Sequence, residues 1–494
     1  MQQRIFTYLL LGGCMLFCLS CTQWTSSKRD QEQQRQPKEE IVDLDLDQIK
    51  ARGYLTAIMD NSSTGFFIYK GRTMGYEYEL LKAFTDSLGL ELRINITPSL
   101  EEGFAKLNAG EGDILAYNLT ITKERKKRIA FTHYHNLVEM VLVQRKPDNW
   151  RQMKLHEIEA SLIRNPVDLI GKEVYVRHHS SYIDRLQNLS EEIGGDIFII
   201  QASPEVETEA VIRQVADGFV DFTVAEKDIA MVNATYYPNL DVETAISFPT
   251  RIAWGVRKNA DGLLEALNEW ILDMRKEADY YVIYDKYFKS RKAALRRTRS
   301  EYFSLGGGKL SPYDSLIQHA AKELNWDWRL LAAQIFRESG FDPAAESWVG
   351  AVGLMQLMPS TAEEHRVISR TNPRESIRGG TAHLKWLQDY FAEYVPDSTQ
   401  RMRFVLAAYN VGHGHVVDAI RLTEKYGANP AAWDDVKEYL IKKSNSAFFN
   451  DPVVSYGYCR GVEPVTYVST VLSIFENYQA LFPDEAIENT LPPV

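Results

Sequence analysis

The sequence predicts a two-part molecule, an α/β region of alternating strands and helices over residues 45–290 followed by an all-α region over residues 310–480. Three observations predict it. Short apolar runs alternate with helical stripes in the first half, the apolar period turns helical throughout in the second, and a basic, glycine-ended stretch separates the two. At 494 residues the chain has room for about three compact units. Its 45% hydrophobic and 25% charged residues exclude a disordered chain and a polytopic membrane protein. With 56 basic against 67 acidic residues the net charge is −11, which argues against nucleic acid as a partner.

Residues 1–20 carry one early basic residue, Arg4, and a short apolar run from Tyr8 to Leu19, the pattern of a secretory signal. The ending Leu19-Ser20-Cys21 resembles a bacterial lipoprotein cleavage site, although Cys18 stands where an aliphatic residue is usual. That resemblance implies lipidation of Cys21, a membrane lipid anchor, and an outer-membrane location facing the periplasm. After cleavage, with Cys21 acylated, only Cys459 is left as a free thiol, so no intramolecular disulfide is expected. Residues 21–44 read as a polar tether.

In the first folded region Tyr54–Met59 reads as a buried strand and Gly75–Phe84 as a helix. Leu90–Ile96 alternates like a strand, Leu100–Leu107 is helical, and Asp113–Ala116 is a strand again. Gly110 and Gly112 mark the corner before it. This βαβ rhythm predicts a doubly wound sheet with helices on both faces.

The strings GYEYELLKAFTDSLGLELR, LNAGEGDILAYNLTITKERKKRIAFT, GKEVYVRHHSSYIDRL and GFVDFTVAEKDIA resemble the family-3 periplasmic solute-binding domain. That likeness implies two α/β lobes with an amino acid or a similar small ligand, such as a muropeptide, between them. By it, Arg125 grips a ligand carboxylate, for which a guanidinium fork is suited. Thr120 adds a hydroxyl, Ser181 lies at a helix N-terminus facing the same anion, Glu226 takes the ligand ammonium, and Phe67 lies near an aromatic wall. The alternative for Arg125 is a solvated salt-bridge residue within the charge run Lys123–Arg128.

Residues 291–309 read as an extended, solvated linker: Lys289–Arg299 is strongly basic and Gly306-Gly307-Gly308 follows. Beyond it, Ser311-Pro312-Tyr313-Asp314 reads as a helix start, with serine as the cap and proline at the first helical position. Asp327 caps a helix that carries Leu330, Leu331, Gln334, Ile335 and Phe336 and ends near Glu338. Further helices are expected over Thr361–His365, Ile377–Tyr394 and Arg401–Tyr409, the last stopped by Asn410-Val411-Gly412. Residues 481–494 form a C-terminal tail.

Chemistry concentrates in Glu338-Ser339-Gly340, Gly353-Leu354-Met355-Gln356, Ala408-Tyr409-Asn410 and the segment around Tyr467. A carboxyl at the end of an apolar helix is placed for desolvation, which raises its pKa toward that of a general acid at neutral pH. Singly, each segment also fits an ordinary solvated helix end or a core tyrosine. Together, in this order and spacing, they resemble the lytic transglycosylases with a lysozyme-like fold. That resemblance makes Glu338 the single catalytic acid and base, and places Ser339, Gln356, Tyr409, Asn410 and Tyr467 along the sugar cleft or around Glu338. The substrate it implies is the peptidoglycan glycan strand, cut between N-acetylmuramic acid and N-acetylglucosamine to leave 1,6-anhydro ends.

A goose-lysozyme-type hydrolase on the same fold and a non-catalytic wall sensor are the alternatives. No cofactor is expected. No metal is expected either, since His133, His135, His178-His179 and the pair His413/His415 have no cysteine or carboxylate companion at a ligand spacing.

Overall fold

The computed structural model describes residues 41–482 apart from Pro98, His179, Pro204, Glu205 and Arg299. The signal segment, Cys21 and most of the C-terminal tail therefore lie outside the described residues. No helix among those described is long and apolar enough to cross a membrane.

The first half is two α/β lobes. In lobe one, strands β1 (Tyr54–Met59), β4 (Glu91–Ile96), β5 (Ile114–Leu115), β6 (Ala130–Phe131) and β14 (Gly255–Val256) form a sheet of order β4-β1-β5-β14-β6. β1 pairs in parallel with both β4 and β5, so the connections pass through helices, here α1 (Tyr76–Leu88) and α2 (Leu100–Ala109). Gly110 ends α2 at φ +83°, the left-handed cap expected at that corner. Between β1 and α1 a hairpin, β2 (Phe67–Tyr69) and β3 (Arg72–Met74), leaves the sheet.

Lobe two holds β8 (Met140–Arg145), β9 (Glu173–Val176), β10 (Phe198–Gln201), β11 (Phe222–Glu226) and β12 (Leu240–Asp241), in the order β10-β9-β11-β8-β12. The chain crosses between lobes twice, on β7 (Asn136–Val138) and β13 (Thr250–Ile252), and these pair antiparallel as a two-stranded hinge. Helix α3 (Lys123–Arg128) of lobe one and helices α4 (Ser181–Ile193) and α5 (Thr208–Asp217) of lobe two meet the cleft between them.

The expected extended linker is instead packed. Arg291–Thr298 is a helix, α6, with Ala294 buried. Arg297 is buried too, its guanidinium 5.5 Å from the Phe67 ring centroid and 5.7 Å from that of Tyr287. Residues 302–304 pair with the hairpin through Lys70 N to Tyr302 O and Ser304 N to Ile68 O. Basic composition hid the amphipathic side of this segment, because an arginine stem buries apolar area while its head finds aromatic faces.

The second half is helical: α7 (Asp314–Leu324), α8 (Trp328–Ser339), α9 (Pro373–Phe391), α10 (Ser398–Val411), α11 (His413–Lys425), α12 (Trp433–Lys442) and α13 (Val462–Leu481). α7 starts two residues later than expected. Asp314 is an acid of the first turn, but Ser311 is not the cap: the Asp314 carboxylate itself accepts from Leu310 N, Ser311 N and Ser311 Oγ. Asp327 caps α8 as expected, accepting from Arg329 N. Ile68 of the hairpin belongs to this helical core, so lobe one is docked on it.

Candidate active site and ligand cleft

Glu338 lies in the last turn of α8, which Gly340 closes at φ +60°. The seven residues Arg329–Ile335 before that turn are all buried, so the helix emerges from the core carrying a carboxyl at its edge. Tyr467, almost fully buried on α13, donates to Glu338 Oε1 at 2.6 Å. Burial raises the carboxyl from its ordinary 4.5 to about 7, while the Tyr467 hydrogen bond and the Arg337 charge pull the other way. The tyrosine in turn is pushed well up, by burial first and by the neighbouring carboxylate second.

The loop after α8 is strapped to the same place. Tyr409, near the end of α10, donates to Met355 O at 2.7 Å, and burial first and the Glu338 charge second push its hydroxyl well up. Ser339 Oγ donates to Leu354 O at 2.9 Å, and Gln356 Nε2 donates to Ala345 O at 3.0 Å and Gly353 O at 3.1 Å. Ser339 and Gln356 therefore spend these donors on backbone: they shape the loop. A Cβ on Gly353 (φ +88°) would stand 1.9 Å from Arg370 O, which explains the glycine. Asp342 accepts from Ala344 N at 2.9 Å and so caps the turn that follows α8. Asn410 is exposed at the end of α10.

In the first half, the cleft lining brings together Arg125, Ser181 and Glu226. Arg125 is not an outward salt-bridge residue: its guanidinium donates to Thr120 O at 3.0 Å and feels Glu226 and Asp184 across the cleft. The Thr120 hydroxyl is buried without a partner, and Ser181 opens α4. Glu226 accepts from Tyr182, and burial lifts it to about 6.

Phe67 is a correction. It is fully buried in the hairpin against Tyr287 and Phe303, with no part in the cleft. A three-residue buried strand reads like a loop aromatic in sequence. The rings that do line the cleft are Tyr117 and Tyr182.

Sequence reasoning also missed an acidic group on the far wall. Arg177 of lobe two lies 2.9 Å from Glu207 and 3.5 Å from Asp60 of lobe one, and Glu209 accepts from Ser63 N at 2.9 Å. Burial raises all three carboxyls. These residues come from segments about 150 positions apart, and only lobe closure unites them.

Among the histidines, His133 is exposed and His415 Nδ1 lies 3.2 Å from Lys443 Nζ, but one is neither exposed nor hydrogen-bonded. His135 is fully buried beside Trp254, neither ring nitrogen has a hydrogen-bond partner, and burial lowers it to about 3.

Comparison with known proteins fits this division. Residues 54–290 match the bacterial extracellular solute-binding proteins, family 3, and residues 315–431 match the Transglycosylase SLT domain. The class so defined is a solute-binding domain fused to a transglycosylase domain. The membrane-bound lytic murein transglycosylase F of Desulfosudis oleivorans is 33% identical over 428 residues, covering 87% of this chain and 90% of that protein. Its namesake in Maricaulis maris is 32% identical over 452 residues, covering 90% and 94%. The chain belongs to the membrane-bound lytic murein transglycosylase F family. Among solved structures, holo ArgBP from T. maritima is 24% identical with a TM-score of 0.39, covering 49% of this chain and 98% of that one.

Proposed function

We propose that this enzyme cleaves the β-1,4 bond between N-acetylmuramic acid and N-acetylglucosamine in peptidoglycan, with Glu338 as acid and then base. Glu338 protonates the glycosidic oxygen as an oxocarbenium-like sugar develops. The muramic acid 6-hydroxyl then attacks the anomeric carbon and returns a proton to Glu338. The product is a 1,6-anhydro end and no water is consumed. Glycosidases that recruit water or a side-chain nucleophile use two carboxylates. An internal hydroxyl gains enough from proximity to dispense with the second. The observation that carries this reading is a half-buried carboxyl, lifted to about 7 by desolvation, whose partner 2.6 Å away is Tyr467, with no second acid among the described residues that act on it. Tyr467 and Asn410 are placed in this reading to steady the developing charge or the N-acetyl group.

Mass analysis of digested sacculi tests it. Anhydro ends are expected; reducing ends, heavier by one water, would make the enzyme a hydrolase of the goose-lysozyme kind. Glu338→Gln is expected to bind wall material without clearing it.

Two finer readings go with this one. The cleft of Arg125, Thr120, Ser181 and Glu226 takes a small zwitterionic ligand, an amino acid or muropeptide, that tunes the catalytic half. In support, the Lys70–Gly71 turn of the hairpin rests on Phe336 and Phe341, on either side of Glu338 in sequence. Cys21 is lipidated and holds the enzyme at the outer membrane, facing the periplasm. Labelling with a radioactive fatty acid, lost in Cys21→Ser, checks this.

A further inference from the structure

A row of aromatic rings leaves the Tyr409 side of the candidate active site and runs along α9. His383 lies 5.6 Å from the Tyr409 ring, Trp386 stacks on His383 at 5.6 Å and 15°, and Tyr390 and Tyr394 follow at 5.4 and 5.8 Å. Their spacing of three and four residues puts them on one side of α9 and its continuation. At a rise of 1.5 Å per residue the row spans about 16 Å, enough for a short oligosaccharide. His413, three residues after Asn410, bridges it, 5.1 Å from both Trp386 and Tyr390, and Tyr456 extends it sideways, 6.2 Å from His413. Trp386 and Tyr394 are each 37% exposed and Tyr456 54%, while His383 and Tyr390 are half-buried between them. Exposed aromatics gathered into one patch mark a binding surface rather than chance.

Tyr456 is presented by dedicated construction. Its backbone N–H and that of Ser455 donate to Asp418 at 2.8 and 2.9 Å. Asp418 is fully buried and paired with the equally buried Lys443 at 2.8 Å. Breaking such a pair leaves an uncompensated charge in the interior, so it is a stiff anchor for the loop. The ring then lies over Gly414, where a Cβ would approach it to 2.4 Å. A buried ion pair and a glycine thus hold an exposed phenol in place.

We propose that this row is a saccharide platform, which holds the units of a glycan strand that lie outside the bond being cut. The inference rests on the glycan-cleaving function proposed above. Sugar rings present apolar C–H faces and polar rims, and aromatic side chains with one polar tip match both. Continuity decides the occupant: the row begins at Tyr409, whose hydroxyl straps the catalytic loop, so a polymer seated at Glu338 that leaves on this side must run along it.

The test uses the full-length enzyme and purified glycan strands freed of peptide stems, in long and in short lengths. Trp386→Ala and Tyr456→Ala are expected to raise KM on long strands about tenfold, with kcat changed far less and with little penalty on fragments too short to reach the row. Trp386→Phe is expected to recover most of the loss, and Gly414→Ala, which displaces the Tyr456 ring, to copy Tyr456→Ala. In a Glu338→Gln background the same variants are expected to lose binding to long strands, a readout independent of turnover. Equal losses on long and short substrates would reduce the row to a structural support. Binding unchanged in all variants, or lost only when peptide stems are present, would overturn the proposal. A wild-type enzyme that binds strands through the row but cuts none would instead sink the catalytic reading alone.

Discussion

Glu338 holds its proton to about pH 7, so its acid form is present at neutral pH and is lost as pH rises further. The same shift is a stability statement. A half-buried carboxyl raised from 4.5 to about 7 supports the fold fully below about 4.5, and that support disappears as pH climbs through 7. The difference amounts to about 3 kcal/mol at most. Glu338→Gln should therefore abolish lysis and also raise the melting temperature at pH 8, with little change at pH 4; melting curves at the two pH values check it. Tyr467→Phe removes the donor that favours the ionised form. The carboxyl pKa then rises, and the alkaline limb of the rate profile should move to higher pH while the rate falls about 10²-fold. A limb that moves the other way would show that Glu338 does not set it.

At the scale of elements, the hairpin β2–β3 touches both halves. Gly71 (φ +76°) sits where a Cβ would come within 2.4 Å of Phe341 and 2.8 Å of Phe336, and its carbonyl accepts from Tyr478 on α13 at 2.6 Å. Gly71→Ala is expected to cost about 1–3 kcal/mol and to lower lysis by disturbing the end of α8; denaturant melts paired with sacculus digestion check both. The hairpin also shows where sequence reading stops. Strands β1 and β4 and helices α1 and α2 are legible because each is long enough to show its period, and α8 is legible from its Asp327 cap and apolar stripe. Glu338 and Tyr467, 129 residues apart, were legible as motifs, and the structure joins them by a hydrogen bond. Strands of three residues have no period to read, so Phe67 was assigned to a cleft it does not reach. Arg297 was hidden for a different reason, since its charge masked a stem packed on rings. The aromatic row along α9 and its continuation is not legible because its members look like core residues of an amphipathic helix until the exposure of Trp386 and Tyr394 is known.

Across the whole molecule, the cleft and the catalytic helix lie on one covalent path. Asp60–Ser63 follows β1 at the cleft, and the chain then runs through β2 to the Gly71 turn beside Phe341. Contacts between the lobes hold Asp60–Ser63 from the far side, through Arg177 with Asp60 and Glu209 with Ser63. A ligand that competes for these groups biases lobe opening only by its differential affinity for the two states. Arg177→Met removes the cation from among three carboxyls and should loosen the closed state, visible as a larger radius of gyration by small-angle scattering. Acid pH should then reclose the variant, because protonating Asp60 and Glu209, both raised by burial, removes their mutual repulsion, while Glu207, raised to about 9, already holds its proton at neutral pH. If the hairpin transmits this motion, Arg177→Met will change the rate of sacculus digestion in the intact chain, and adding Gly71→Ala will blunt the change. Rates that follow the Gly71 substitution alone, whatever the state of the lobes, would confine the hairpin to a structural prop.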